Sequence, residues 1–212
     1  WGSRWRSELA LRDSDDGAGK FVALERPFYS LDTRRSAGFE FAEEESVEDV
    51  YRLGEAVAAY RQDKDQAEVR FGWSRGLQQG WTRRLIAGLR HEQASFNPAP
   101  DQVAPLALPV NRDLDYPFLR LEAVQDDFET ARNRDQIART EDLHFGLRYA
   151  VEIGLADSAF GADRSAALFR AEASRGYRID EQQSLFVQGA LAGRLEHGAL
   201  AVRENVADDV KP

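Results

Sequence analysis

The chain has 212 residues, 42% hydrophobic and 31% charged. That is about one large domain, too apolar for a disordered chain and too charged for an ordinary core-rich enzyme. A net charge of −9 argues against a nucleic-acid binder, zero Cys excludes disulfides, thiolate metal sites and a Cys nucleophile, and the lack of any run of about 20 apolar residues excludes a transmembrane helix.

In chain order, the dominant signal is period two, the spacing of a strand with unlike faces. Trp5, Leu9 and Leu11 oppose Arg4, Arg6, Glu8 and Arg12. A weaker segment follows near residues 20–26. Ala37, Phe39 and Phe41 then oppose Arg34, Ser36, Gly38 and Glu40. Residues 50–60 form another weak segment, interrupted by Gly54. Ala67, Val69, Phe71 and Trp73 oppose Glu68, Arg70, Gly72 and Ser74. Leu85, Ala87 and Leu89 oppose Arg84, Gly88, Arg90 and Glu92. A third weak segment, near 114–125, carries Pro117. The longest alternation places Leu143, Phe145, Leu147, Tyr149, Val151, Ile153 and Leu155 on one face and His144, Gly146, Arg148, Ala150, Glu152 and Gly154 on the other. Near 164–178, Phe169, Ala171 and Ala173 oppose Arg170, Glu172 and Ser174; then Leu185, Val187, Leu191 and Leu195 oppose Gln188, Arg194 and Glu196.

These are about ten strands, several as long as the 9–11 residues of a tilted membrane strand. Turn-rich pieces separate them: Asp13–Gly19, Pro27–Asp32, Glu43–Asp49, Gln62–Gln66, Gly76–Gly80, Asn97–Asp113, Asp126–Glu141, Ala156–Asp163 and Ile179–Gln183. The pattern lapses over 199–212. Residues 1–198 therefore read as one all-β unit of antiparallel up-and-down strands, and 199–212 as an irregular tail. Beginning at Trp1 without a leader, the sequence reads as a processed or partial chain.

The polar faces are ordered rather than merely charged. All but three of the 28 basic residues are Arg, the better partner for a carboxylate. Arg6/Glu8, Glu68/Arg70, Arg90/Glu92, Arg120/Glu122, Arg170/Glu172 and Arg194/Glu196 lie two apart, and Arg148 and Glu152 lie four apart, each pair on one face of its strand. Paired strands turn such residues into cross-strand ion pairs. The ionic face cannot meet lipid, where a midplane Arg costs about 2–4 kcal/mol, or a dry core. It meets water or a wet, charged lumen. The apolar faces then meet a second sheet or lipid. Long strands with aromatics near their ends (Trp5, Phe28, Tyr29, Trp73, Trp81 and Tyr177, with Tyr116 and Phe160) favour lipid. The expectation is a transmembrane β-barrel: Leu143–Leu155 on the lipid side, the Arg/Glu set in the lumen and the aromatics at the interfaces.

Three constellations resemble chemistry. Gly72-Trp73-Ser74-Arg75-Gly76 matches the G-x-S-x-G nucleophile elbow, which needs a strand, a sharp turn and a helix; here strand alternation continues through it. Asp13, Asp15 and Asp16 beside Gly17 lack EF-hand spacing. His91 and His197 share the register of apolar residues, whereas His144 lies on a polar face. No catalytic residue, metal or cofactor is assigned.

The segments Glu25-Arg26-Pro27-Phe28-Tyr29-Ser30-Leu31-Asp32-Thr33-Arg34, Gly72-Trp73-Ser74-Arg75-Gly76, Asp135-Gln136-Ile137-Ala138-Arg139-Thr140-Glu141-Asp142 and Phe160-Gly161-Ala162-Asp163-Arg164 resemble parts of the BamA/TamA-like outer-membrane barrels, the bacterial surface antigen superfamily. The resemblance implies a barrel of about sixteen strands in the bacterial outer membrane, preceded by periplasmic POTRA domains and, in some relatives, a patatin-like lipase domain. It implies membrane lipids as partners and client polypeptides that are inserted or exported. This sequence departs from the pattern: it has neither upstream region, lacks a C-terminal strand ending in an aromatic, and has only Arg175-Gly176-Tyr177 near a [V/L/I]-R-G-[F/Y] word. It thus corresponds to the first ten or so strands of a larger barrel. The alternatives are a passive porin-like channel, the barrel of a lipase fusion, and a soluble β-sandwich or ligand-binding barrel.

Overall fold

The computed structural model of the chain describes residues 4–15, 17–132, 140–180, 183–196 and 199–211. Asp16, His197 and the 135–139 part of the third resembling segment lie outside the described residues.

The period-two segments fold as β1 (Arg6–Ser14), β2 (Gly17–Arg26), β3 (Arg35–Arg52), β4 (Glu55–Gln78), β5 (Trp81–Pro98), β6 (Arg112–Gln125), β7 (Phe128–Arg132), β8 (Thr140–His144), β9 (Arg148–Ala156), β10 (Ala166–Arg178), β11 (Ser184–Glu196) and β12 (Ala199–Lys211). Ten of them form one antiparallel sheet, in the order β1-β2-β3-β4-β5-β6-β9-β10-β11-β12, and β7 with β8 forms a separate hairpin. The architecture is all-β and up-and-down. The sheet is not closed: β1 and β12 are its edges. The one departure from neighbour pairing is the β6–β9 junction, where the chain leaves the sheet for the β7–β8 hairpin before returning.

Several expected boundaries move. Glu43–Asp49 and Gln62–Gln66 are not turns. β3 and β4 run through them as a ribbon of 18 and 24 residues, held by cross-strand charge pairs such as Arg61–Glu45 at 3.1 Å. The turn falls instead at Leu53-Gly54, both at positive φ (52° and 88°), the signature of a two-residue type I′ hairpin whose twist matches its strands. Gln79-Gly80, at 52° and 76°, makes the same turn between β4 and β5. Residues 199–211, expected to be irregular, form β12 and pair with β11 along its whole length.

The 143–155 alternation is not one strand. β8 ends at His144 and β9 begins at Arg148. Between them the Phe145 N–H donates to the Asp127 carbonyl at 2.8 Å, and the Phe145 carbonyl accepts from the Gly176 N–H at 3.1 Å. These bonds fold the segment inward. Phe145 is 2% exposed, its ring 5.3 Å from that of Phe186 and under the Arg178 guanidinium at 4.0 Å. Leu143 and Leu147 are only half-exposed. Exposed alternation therefore begins at Tyr149 and continues through Val151, Ile153 and Leu155.

An ionic lattice inside the sheet and an apolar band outside

Cross-strand register sorts the side chains into two faces. One row runs Leu24, Phe39, Val69, Leu89 and Pro117 through directly opposed partners; another runs Ala37, Phe71, Ala87, Leu119, Ile153 and Phe169. These rows are apolar and exposed: Phe71 66%, Leu119 48% and Ile153 55%. The opposite face carries Glu68, Glu122 and Glu152, all buried, so the sheet curls toward its charged side. The small apolar cluster lies there too: Ile86, Leu114, Tyr116 and Phe118, with Phe28 packed against it.

Glycine makes room for the rings. A Cβ on Gly88 would stand 2.6 Å from the Phe118 ring, one on Gly154 2.5 Å from Tyr116, and one on Gly72 2.7 Å from Phe28. Phe28 is therefore not an outer-surface aromatic. It lies under the Arg84 guanidinium at 4.8 Å on the inner face, because residues 27–34 are irregular and leave the strand alternation. Tyr116 likewise faces inward at 3% exposure. Trp5, Tyr29, Trp73 and Tyr177 are exposed, and Trp81 is half-exposed beside Tyr149, ring centroids 6.3 Å apart.

The inner charges form a continuous chain. Arg6 pairs with Glu25 at 2.5 Å, and Glu25 with Arg70 at 3.0 Å. Arg70 also holds Glu40 and Glu68, each at 2.7 Å. Glu68 accepts from Arg90 at 2.5 Å, and Arg90 reaches Glu152 at 2.7 Å. Glu152 faces Arg120 and Arg170, both at 3.9 Å, and Arg120 bonds Glu172. The path runs from β1 to β10. A branch joins Arg84 to Glu122 at 3.0 Å and Glu122 to Arg148 at 3.4 Å. Apart from Arg6 and Glu172, these residues line a cleft of about 420 Å³. Charged hydrogen bonds of this kind are about twice as strong as neutral ones, and each acid deep in the lattice has at least two guanidinium partners.

Of the pairs singled out two apart, Glu68/Arg70 bond directly, and Arg194/Glu196 meet at 2.5 Å as an ion pair without hydrogen-bond geometry. The others are exchanged. Arg6 takes Glu25 instead of Glu8, Glu92 accepts from the Tyr116 hydroxyl at 2.5 Å instead of pairing with Arg90, and Arg148 takes Glu122 instead of Glu152. The reason is strand geometry: residues two apart sit about 6.6 Å apart along one strand, whereas the next strand is about 4.8 Å away.

The chemical constellations resolve as scaffold. Ser74 is 1% exposed, in β4 beside the register shift at Ser74/Leu77, and its hydroxyl accepts the Gly76 N–H at 3.0 Å. The rest of β4 and then β5 follow it, not a helix, so the geometry is not that of a nucleophile elbow. His91 faces Asp115 at 2.9 Å and Asp113 at 3.6 Å on the outer face, a grouping spacing along the chain did not reveal because it arises from β5–β6 register. The 2.9 Å contact is satisfied by a proton on Nδ1.

The outer band is bounded by charge at both ends. On β3, Arg35 and Glu43 enclose Ala37, Phe39 and Phe41; on β4, Arg75 and Asp65 enclose Trp73, Phe71, Val69 and Ala67; on β5, Arg83 and His91 enclose Leu85, Ala87 and Leu89. Eight to ten residues per strand is about 27–34 Å along the strand, or about 20–26 Å of height at a tilt near 40°. From β3 to β5 both boundaries move two residues in the same direction: Arg35 lies level with Trp73 and Leu85, two residues short of Arg83, and Glu43 lies level with Asp65 and Gln93, two residues beyond His91. A band of constant height crossed by tilted strands produces that stagger. Comparison with family models, curated proteins and solved structures gave no match to this chain.

Proposed function

We propose that the chain is part of an outer-membrane β-barrel of the BamA/TamA-like type, working in the insertion of outer-membrane proteins or the translocation of polypeptides. The observation that carries the membrane reading is the outer face. Phe39, Phe71, Leu89, Leu119, Val151 and Ile153 stand 45–66% exposed in register-matched rows, in a band whose height fits the roughly 25 Å apolar belt of such barrels. A soluble sheet leaving so much contiguous apolar surface uncovered would aggregate. The lattice supports it from the other side: Arg and Glu on the inner face cost nothing in lipid contact and are paired where water is scarce. The open edges at β1 and β12 must be satisfied in a bilayer, by closing on each other or by further strands.

The assembly reading rests on the resemblance of the loop segments. It is tested by reconstituting the full-length protein into liposomes and following the folding of an urea-unfolded outer-membrane protein added outside. Accelerated client folding with little ionic conductance is the expected result. A large, steady ohmic conductance without accelerated folding overturns it in favour of a passive pore. Recovery of the protein as a detergent-free monomer overturns the membrane reading itself.

A further inference from the structure

The two ends of the outer band differ in kind. One end is acidic: Glu43, Asp65 and Asp115 close the apolar band on β3, β4 and β6 there, and the β3–β4 ribbon beyond it adds Glu44, Glu45, Glu48 and Asp49, of which Glu43, Glu44 and Glu45 are paired with Lys20, Arg12 and Arg61. The other end is ringed by Arg35, Arg75, Arg83 and Arg175, all exposed on the outer face. None of these four is within ion-pair distance of a described acid, in contrast to the arginines of the inner lattice. Asp127, whose carboxyl feels Arg175, is already held by Arg178 at 2.9 Å. Aromatics gather at the same end. Arg75 stands over Trp73 at 5.7 Å, Arg175 over Tyr177 at 5.3 Å and Arg4 over Tyr29 at 3.6 Å, while Trp81 leans on Tyr149.

We propose that this arginine rim binds the phosphates of anionic phospholipids, and that it thereby fixes which end of the sheet lies in the anionic leaflet. The inference rests on the membrane reading and adds the lipid chemistry to it. A guanidinium on an exposed strand end with no acid to satisfy it has five donors to place, and a planar fork matches a phosphate oxygen pair. Tyr and Trp hold the same level because their rings prefer the headgroup region. The acidic end repels the same headgroups, so the preference has a direction. Each basic group near an anionic surface contributes about fivefold in partitioning; four of them make the effect measurable even with screening.

The tryptophans supply the readout, because three of the chain's four, Trp5, Trp73 and Trp81, lie at the arginine end, and every protein compared carries Trp1→Phe. The full-length protein is refolded into vesicles of phosphatidylcholine and phosphatidylglycerol at a 7:3 ratio, brominated either on the anionic lipid or on an equal mole fraction of the neutral one. Tryptophan quenching by the brominated anionic lipid should exceed that by the neutral lipid at least threefold, and 0.5 M NaCl should reduce the excess. In Arg35→Gln/Arg75→Gln/Arg83→Gln/Arg175→Gln the two should become equal. The four-fold Arg→Lys variant, which keeps the charge, should retain most of the excess and shows that chain folding survives four changes at this rim. Equal quenching in the protein with its arginines intact, or an excess that persists in the Gln variant, overturns the lipid inference and leaves the barrel reading standing. Absence of quenching by either lipid overturns the barrel reading.

Discussion

Arg90 on β5 donates to Glu152 on β9 at 2.7 Å, across the whole width of β6. Both side chains are nearly buried, at 12% and 7% exposure. The bond ties strands that are not sheet neighbours, and the same guanidinium lies over the Phe118 ring at 4.6 Å. Removing the acid leaves Arg90, Arg120 and Arg170 converging on an empty space. Glu152→Ala should therefore destabilise by about 3 kcal/mol, the scale for breaking one side of a buried pair. Arg90→Gln/Glu152→Gln should lose clearly less than Glu152→Ala. Urea midpoints in detergent micelles check this; equal losses in the two variants would show that the lattice is simply solvated.

The same logic ranks the rim of the lattice below its centre. Arg170 is 47% exposed and stands 3.9 Å from Glu152, so Arg170→Gln should cost less than about 1 kcal/mol. Arg170→Glu places a third carboxylate beside Glu152 and Glu172 and should cost more. A melting temperature unchanged by the charge reversal would remove Arg170 from the network.

Inner glycines are steric, not conformational, requirements. The Tyr116 ring occupies the space over Gly154, where a Cβ would meet Cδ2 at 2.5 Å. Gly154→Ala should destabilise by about 1–3 kcal/mol through overpacking. Tyr116→Leu in the Gly154→Ala background should recover part of that loss, although it also removes the hydroxyl bond to Glu92. Absence of any coupling between the two changes in a double-mutant cycle sinks the packing account.

How far these features could be read from the sequence depends on which interaction fixed them. Alternation alone locates Val69, Phe71 and Trp73 on one face and Glu68 and Arg70 on the other, because period two is a local property. It misplaces the turn at Gln62–Gln66, where polar residues in a ribbon outside the apolar band look like loop. It also carries Leu143–Leu155 through Phe145, whose inward turn is set by bonds to Asp127 and Gly176, distant in sequence. Arg/Glu spacing picks out many members of the lattice but misses Glu25, Glu40 and Arg84, which lie on strands without such a spaced pair or outside one, and it does not give the partners: Arg90 meets Glu152 only because β6 pairs with β9 around an inserted hairpin. The His91–Asp115 contact and the difference between the two rims are likewise products of register.

One loop carries a pH signature. Asp157 caps the short 3-10 turn Ser158–Phe160, accepting from the Ala159 N–H at 3.1 Å and from the Ser165 hydroxyl at 2.8 Å. The Ala159 N–H, then the Ser165 hydroxyl, hold its carboxyl below the ordinary value. A depressed carboxyl stabilises the loop above the unfolded pKa, near 4, and that contribution is lost as pH falls through the lower folded value. Amide exchange at Ala159 should accelerate on acidification below about pH 4 beyond the intrinsic pH effect. Asp157→Asn should abolish that extra acceleration; an identical pH profile in the variant excludes the cap as its source.

The face assignment itself is testable at adjacent residues. On β9, Tyr149, Val151, Ile153 and Leu155 stand 41–57% exposed on the outer face, while Ala150, Glu152, Gly154 and Ala156 are buried on the inner face. Arg148 shares the inner register and reaches Glu122 at 3.4 Å. In a bilayer, an arginine on the outside at the mid-band level of Arg120 and Glu152 would cost about 2–4 kcal/mol; Arg148 lies at the level of the Arg83 and Arg175 rim, half-exposed and paired on the inner face. Nitroxide labels at 151 and 148 in the reconstituted full-length protein separate the two environments. The label at 151 should relax with oxygen, which concentrates in lipid, and be indifferent to a water-soluble nickel chelate; the label at 148 should show the opposite ranking. A label at 153 should follow 151, since two residues along a strand return to the same face. Oxygen accessibilities that are equal at 148 and 151 would mean that both faces meet the same solvent, and the apolar rows from Leu24 to Phe169 would then need a covering sheet or partner in place of lipid.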